Sequence, residues 1–414
     1  MVNLTSESQG PEALPLHIQL FHLATVRTKS GPGLTGGGGG GPIHYARLAQ
    51  EWVKQGHFVT VYTNLPEMFE GKCTRVVSVG RTDPKSVNPE AGNLLQPLKA
   101  LIGTLADRTT ISAPRAPPSQ VPDRSIVIAA SPNLSDIVHA RRIAQTSGSP
   151  LVVAFHHLTP GPWWHPNRRG GVVRCSGAWL LTQAALVITK VCRFVPSIDQ
   201  VRILSESGWR FSGPVLPDED FLDRYPDSAT IEKPNRSIDA CFVSRLSPYK
   251  GLFDLVSIWA EVHRRLPAAQ MVVGGDFESR AVERRFRIAI EKTGLSGLIT
   301  LRGHLSDGGK HDLLANSKVF AFPSYEEGWS LAVMEAATYG CVPVVYDLPA
   351  YDYLGSAIPR VPPGNVQAFA ERLVDLLGDS QKREEIACRL ESIPRAYSAD
   401  LIARDQVAFF RTLL

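Results

Sequence analysis

The chain carries no Cys-x-x-Cys pair, and its six cysteines (Cys73, Cys175, Cys192, Cys241, Cys341 and Cys388) stand far apart. That spacing argues against a structural zinc site and a thioredoxin-like redox motif, and points to a reducing, cytoplasmic compartment. Cys241 and Cys341 fall in apolar, strand-like runs and are expected to be buried thiols. No stretch reaches the roughly 20 consecutive apolar residues that a membrane helix needs. Met1 to Gly10 is polar and lacks the apolar core of a secretory leader. Any membrane contact is therefore expected to be peripheral, at the inner face of the membrane. Charge of one sign is also scarce: 44 basic against 40 acidic residues leave +4, too little to imply a nucleic-acid partner. The 34 glycines and 31 prolines are dispersed apart from two local clusters, so the chain is neither fibrous nor wholly disordered.

What is present is an alternation of apolar strands and helices. At 414 residues the chain exceeds a usual single core, so two domains are expected. Leu16–Leu20, Phe58–Tyr62, Ser125–Ala130, Leu151–Phe155 and Leu186–Ile188 read as strands in the first half. Helices near Ile43–Gln55 and Asp136–Thr146 lie between them. The second half repeats the rhythm with strands Ala240–Val243, Gln270–Val273, Ile299–Leu301 and Val319–Phe322, and helices near Leu252–Arg265 and Glu278–Thr293. A βα rhythm of this kind implies doubly wound, parallel sheets. The fold class is therefore α/β, with two Rossmann-like domains facing one cleft. The first is expected over 1–215 and the second over 216–397, with a linker in 213–236. The segment 398–414 reads as an amphipathic helix carrying Leu401, Ile402, Val407, Phe409 and Phe410. Thr109–Asp123 is proline-rich and reads as a loop. Before it, Leu94, Leu98, Leu101, Ile102 and Leu105 form a helical stripe that suits packing on the sheet better than contact with a membrane.

The most informative segment is Pro323–Gly340. It sets Glu327 and Glu335 eight positions apart across a loop-to-helix junction, between two apolar strands. Such a junction lies at the carboxyl end of a parallel sheet, where α/β proteins bind polar ligands. Ser330 is placed to cap the helix. Amides at Ser330 and Leu331 would be free to hold a phosphate. Glu335, inside the helix, could accept hydrogen bonds from a diol. Taken alone, the two glutamates are equally compatible with a solvated acidic loop and an ordinary helix.

Ser244–Gly251 follows another apolar strand, and Arg245 and Lys250 bracket its turn. Two cations there suit a diphosphate, Arg as a planar fork and Lys as a point charge. Gly36–Gly41 is an unbroken glycine run between the first strand and the first helix, suited to close backbone approach to a ligand. It is neither a Walker A loop, since no Gly-Lys-Ser/Thr follows, nor a clean GxGxxG, so no nicotinamide cofactor is expected. His156 closes a strand and would point into the cleft. Its neighbour His157 would face the opposite side, so the two make a poor metal chelate. Asp218–Asp220 has a DxD form but falls in the linker.

Together these pieces resemble the family-4 retaining glycosyltransferases of GT-B fold. Glu327–Glu335 matches that family's E-x7-E motif, and Arg245-Leu246 with Lys250-Gly251 matches its GRL…KG. The glycine run with Arg47-Leu48-Ala49 and Gly56–Val61, and Phe155-His156, match its first-helix and strand-end patterns. The resemblance implies a nucleotide-sugar donor held mainly by the second domain. Arg245 and Lys250 would hold the diphosphate, and Glu335 the ribose. Glu327 would contact the donor sugar, and the Ser330 and Leu331 amides would complete the phosphate site. Gly39 and Gly40 would close over the phosphates, and His156 would lie near sugar and acceptor. Glu327, His156, Arg245 and Lys250 are thus the candidate catalytic residues. The resemblance also implies a metal-independent hexosyltransferase, needing no cofactor, that uses a UDP- or GDP-sugar. Its acceptor would be a glycan, a lipid-linked saccharide or a small molecule. The final helix would cross back to the first domain. Ser244, Trp329 and Ala332 depart from the usual Gly, Phe and Pro.

Two other functions share the fold. A UDP-N-acetyl-sugar epimerase would lack GRL…KG with E-x7-E in this form. A non-catalytic nucleotide-sugar-binding protein would bind without turnover, against which the intact Arg245, Lys250, Glu327 and Glu335 argue.

Overall fold

A computed structural model describes residues 14–23, 41–79, 122–131, 134–155, 202–205, 208–211, 236–327, 330–395 and 397–414. Gly39, Gly40, His156, Trp329, Asp218–Asp220, most of the linker, the 94–105 stripe, the strand expected at 186–188 and nearly all of the proline-rich stretch lie outside the described residues.

The first sheet is built from β1 (His17–His22), β2 (Phe58–Thr63), β3 (Arg75–Ser78), β4 (Ser125–Ala129), β5 (Leu151–Phe155), β6 (Arg202–Ser205) and β7 (Gly208–Phe211). Its strand order is β3-β2-β1-β4-β5-β6-β7. The five strands from β3 to β5 run parallel, in register from His17↔Phe58 and His17↔Ser125 outward. β6 and β7 extend the edge antiparallel, which the expectation of a wholly parallel sheet did not include. β6 ends at Ser205 and β7 begins at Gly208, too close in sequence for the crossover that a parallel pair needs, so the two pair antiparallel. The helices Gly41–Lys54 and Leu134–Ser147 follow β1 and β4.

The second sheet has the order β10-β9-β8-β11-β12-β13 and is parallel throughout. Its strands are β8 (Ile238–Val243), β9 (Met271–Gly274), β10 (Ile299–Gly303), β11 (Ser317–Phe322), β12 (Val342–Tyr346) and β13 (Arg360–Val361). In both sheets the order reverses direction beside the first strand, the topology of a doubly wound α/β fold. Central strands covered on both faces must be apolar along their whole length, as Phe320-Ala321-Phe322 and Val342–Tyr346 are. Cys241 and Cys341 are fully buried there, as expected.

Arg236 lies two residues before the first strand of the second sheet. Its guanidinium donates to the carbonyls of Ala315, Ser317 and Tyr339, at 3.0, 2.7 and 2.6 Å. One side chain thereby satisfies the ends of two helices that would otherwise bury bare carbonyls. The final helix, Ala399–Arg411, joins the core of the first sheet: Ile402, Ala403, Val407 and Phe410 pack with Leu48, Trp52 and Val59. Among the described residues no helix is long and apolar enough to cross a membrane.

Candidate active site

The carboxyl edge of the second sheet gathers the residues singled out in the sequence. β8 ends at Val243, and Ser244–Ser247 leads into a 3-10 turn, Pro248–Lys250. Gly251 closes the turn with φ +73°, a left-handed backbone that glycine adopts without strain. A β-carbon on Gly251 would lie 1.8 Å from the Pro323 carbonyl oxygen, so this loop rests directly on the end of β11. The Tyr249 carbonyl accepts the Tyr325 amide at 2.9 Å and ties the two loops again. Below them Tyr325, half-buried, and Tyr346, buried, share one carboxylate. The Tyr346 hydroxyl donates to Asp254 at 2.7 Å, and the Tyr325 hydroxyl donates to the same oxygen.

This backbone brings Lys250 and Glu327 together. Lys250 Nζ donates to Glu327 Oε1 at 2.6 Å and to the Glu326 carbonyl at 3.3 Å. The Glu327 side chain is only 7 % exposed and that of Lys250 18 %. A charge this sheltered is held by its partner, so neither can be removed without stranding the other. Lys250 also lies over the rings of Tyr249 and Phe322, 5.8 Å from each centroid. Arg245 stands more open. Its guanidinium donates to the Tyr249 hydroxyl and sits 5.5 Å from that ring's centroid. Tyr249 thus orients both cations, a role that residue type alone could not reveal.

Ser330 begins the helix Leu331–Thr338. Its carbonyl accepts the amides of Val333 and Met334, which leaves the amides before them at the open amino end of the helix. The expected side-chain cap does not form. Ser330 has φ +63° and makes no capping hydrogen bond, because a left-handed residue cannot turn its hydroxyl onto the first turn as an extended N-cap does. Its buried hydroxyl finds no partner at ordinary hydrogen-bond length among the described residues, although the Tyr351 hydroxyl neighbours it. Burial, and then the charge of Glu327, hold the Tyr351 phenol well above its usual range.

Glu335 is buried within the helix, 9 % exposed, with Lys310 Nζ at 2.7 Å from Oε1. The sequence had suggested no role for Lys310. Beside the Arg245 loop a cavity of ≈ 490 Å³ is lined by Leu246, Gly275, Asp276, Phe277, Arg280, Arg302 and Gly303 among others. Gly275 is required there: with φ +130°, its missing β-carbon would meet the Ser244 carbonyl oxygen at 1.8 Å. The structure therefore brings Lys250, Glu327, Arg245, Ser330, Leu331 and Glu335 to one edge. The expected contributions of Gly39, Gly40 and His156 lie outside the described residues.

Residues 223–389 match the family model of glycosyl transferases group 1, and this stretch contains both glutamates and both cations. The second half of the chain thus resembles a glycosyl transferases group 1 domain. The poly(glycerol-phosphate) alpha-glucosyltransferase of Bacillus subtilis is 24 % identical over 187 residues, 43 % of this chain and 26 % of that protein. The matched stretch thus spans about a quarter of that relative's length. Sucrose-phosphate synthase from Thermosynechococcus elongatus superposes with a TM-score of 0.66 at 17 % identity, covering 96 % of this chain and 98 % of that one. Anabaena HepE, solved with UDP and glucose, gives 0.56 at 15 % identity, covering 96 % and 100 %. The fold is GT-B, two parallel-sheet α/β domains.

Proposed function

We propose that the chain is a retaining hexosyltransferase that moves a sugar from a UDP- or GDP-sugar to a hydroxyl acceptor, a glycan or a lipid-linked saccharide. The observation that carries this reading is the sheltered Lys250–Glu327 pair at the carboxyl edge of β8 and β11, with Glu335 one helix further on. Lys250 and Arg245 would neutralise the diphosphate as its bond to the sugar breaks, which is the electrostatic work that a departing dianion needs. The amides at Ser330 and Leu331 would take the distal phosphate. Glu335 would hold the ribose, and Glu327, released from Lys250 as the phosphates arrive, would face the donor sugar. The cavity beside Leu246 and Gly275 would receive the base. The acceptor oxygen would attack on the face the diphosphate leaves, and a phosphate oxygen would take its proton. The new glycosidic bond then forms as the old carbon–oxygen bond breaks, with configuration kept.

We place the unit boundaries at 1–215 and 216–397, the final helix returning to the first unit. We also read the enzyme as metal-independent and cytoplasmic, with any membrane contact peripheral. The reading is tested by incubating the protein with UDP-, GDP- and ADP-sugars, with and without EDTA. Sugar release or transfer is followed, and the anomeric configuration of the product is read by NMR. Turnover with one donor, unaffected by EDTA and giving a product of the donor's configuration, is expected. Lys250→Ala should lower it by at least about 100-fold, the scale for losing one transition-state charge contact. A folded protein that neither hydrolyses nor transfers any donor would sink the reading.

A further inference from the structure

We propose that Lys310 is a donor-binding residue that reads the ribose of the nucleotide together with Glu335; this rests on the reading of Glu335 as the ribose contact. β10 ends at Gly303 and the helix Asp307–Ala315 starts immediately after, so Lys310 lies one turn from the carboxyl edge of the sheet. Glu335 lies one turn into the helix that starts at the same edge after β11. The two side chains meet there, Nζ to Oε1 at 2.7 Å, and are 19 % and 9 % exposed. The helices are locked on their neighbouring faces by the His311 and Tyr339 rings, whose centroids are 5.1 Å apart. The Ser306 hydroxyl accepts the Gly309 amide at 3.1 Å and fixes the first turn. Lys310 is therefore a positioned cation and not a wandering surface lysine.

A hydroxyl both donates and accepts. The Lys310–Glu335 pair offers the complement within one hydrogen-bond length: an ammonium that donates beside a carboxylate that accepts. A ribose hydroxyl seated across the pair would donate to Glu335 and accept from Lys310. A ligand lacking that hydroxyl would exclude water from the pair without replacing those hydrogen bonds, and a site built to bond a hydroxyl discriminates strongly against ligands that lack it. A purely structural ion pair would stabilise the fold and be indifferent to the sugar of the nucleotide.

The test is calorimetric titration of the intact chain with whichever of UDP, GDP or ADP binds most tightly, and with its 2′-deoxy and 3′-deoxy forms. Wild type, Lys310→Met, Lys310→Gln and Glu335→Gln are compared. Both Lys310 variants should weaken binding of the ribonucleotide about tenfold, the loss of one charge-assisted hydrogen bond. They should also shrink the wild-type preference over one of the deoxy forms. Wild-type affinity and an unchanged deoxy preference in a folded Lys310 variant would overturn the inference while leaving the ribose role of Glu335 standing. An unchanged Glu335→Gln would remove that role as well, and a wild type that binds none of the three nucleotides would overturn the proposed function itself.

Discussion

Ser330 is where the chain stores conformational strain. It is the only described residue other than glycine with a positive φ, at +63°, and its hydroxyl is buried without an ordinary hydrogen bond. A non-glycine residue in this region costs about 1 kcal/mol or more, and such outliers gather at functional sites. The left-handed turn points the amino end of the helix Leu331–Thr338 at the edge shared with Lys250 and Glu327. Ser330→Gly should therefore stabilise the protein by about 1 kcal/mol in urea unfolding, since glycine takes this backbone freely. A loss of stability on that change would show that the hydroxyl has a partner worth more than the strain. Ser330 also marks a limit of residue-level reading. Its chemical type suggested a cap, and only the backbone angle shows why its oxygen cannot reach the first turn.

At the scale of elements, the turn after β8 and the end of β11 act as one piece because glycine lets them touch. Gly251→Ala would drive a β-carbon into the Pro323 carbonyl, 1.8 Å away, in a backbone that alanine disfavours. The cost should be about 2–4 kcal/mol in unfolding free energy, from overlap and left-handed strain together. Because Lys250 precedes this contact and Glu327 follows it, relief by separation of the two loops would lengthen their ion pair. Weaker nucleotide binding by calorimetry is the expected companion; unchanged stability and binding would mean that the loops are not coupled through this contact. The elements themselves were legible: apolar runs such as Phe58–Tyr62 and Ala240–Val243 lie inside the observed strands, and the helix Leu252–Arg265 starts and stops where its pattern does. Short strands were not. β3 and β13 carry too few residues for a period to show, and the antiparallel β6–β7 hairpin offers no βα rhythm. The site was legible as residue types, Arg245, Lys250, Glu327 and Glu335, but its pairings were not. Lys310 lies 25 residues from Glu335, and no local pattern joins them.

At the scale of the whole molecule, the last helix ties the end of the chain to its beginning. The expected apolar face was largely right, with Ile402, Val407, Phe409 and Phe410 buried, whereas Leu401 points outward at 43 % exposure. Arg411 donates to the Leu14 carbonyl at 3.1 Å, and its charge acts on His57. His57 accepts the Leu16 amide on Nδ1 at 3.2 Å, so protonation there would break a buried bond at the start of β1. Burial first, and Arg411 second, lower its pKa from 6.5 to about 4. His17 and His22 are lowered to about 4 as well, with burial the leading cause for both. Each of these groups binds its proton in the unfolded chain at a higher pH than in the folded one. Stability is therefore complete above pH 6.5 and falls as the pH drops from 6.5 toward 4. Urea unfolding across that window should show the decline. His57→Asn keeps an acceptor for the Leu16 amide but cannot titrate, and it should flatten the slope by about a third if the three histidines contribute alike. A variant as steep as wild type would mean that His57 is already protonated in the folded protein. The tie between β1 and the returning helix would then have to tolerate a charge that the Arg411 guanidinium opposes.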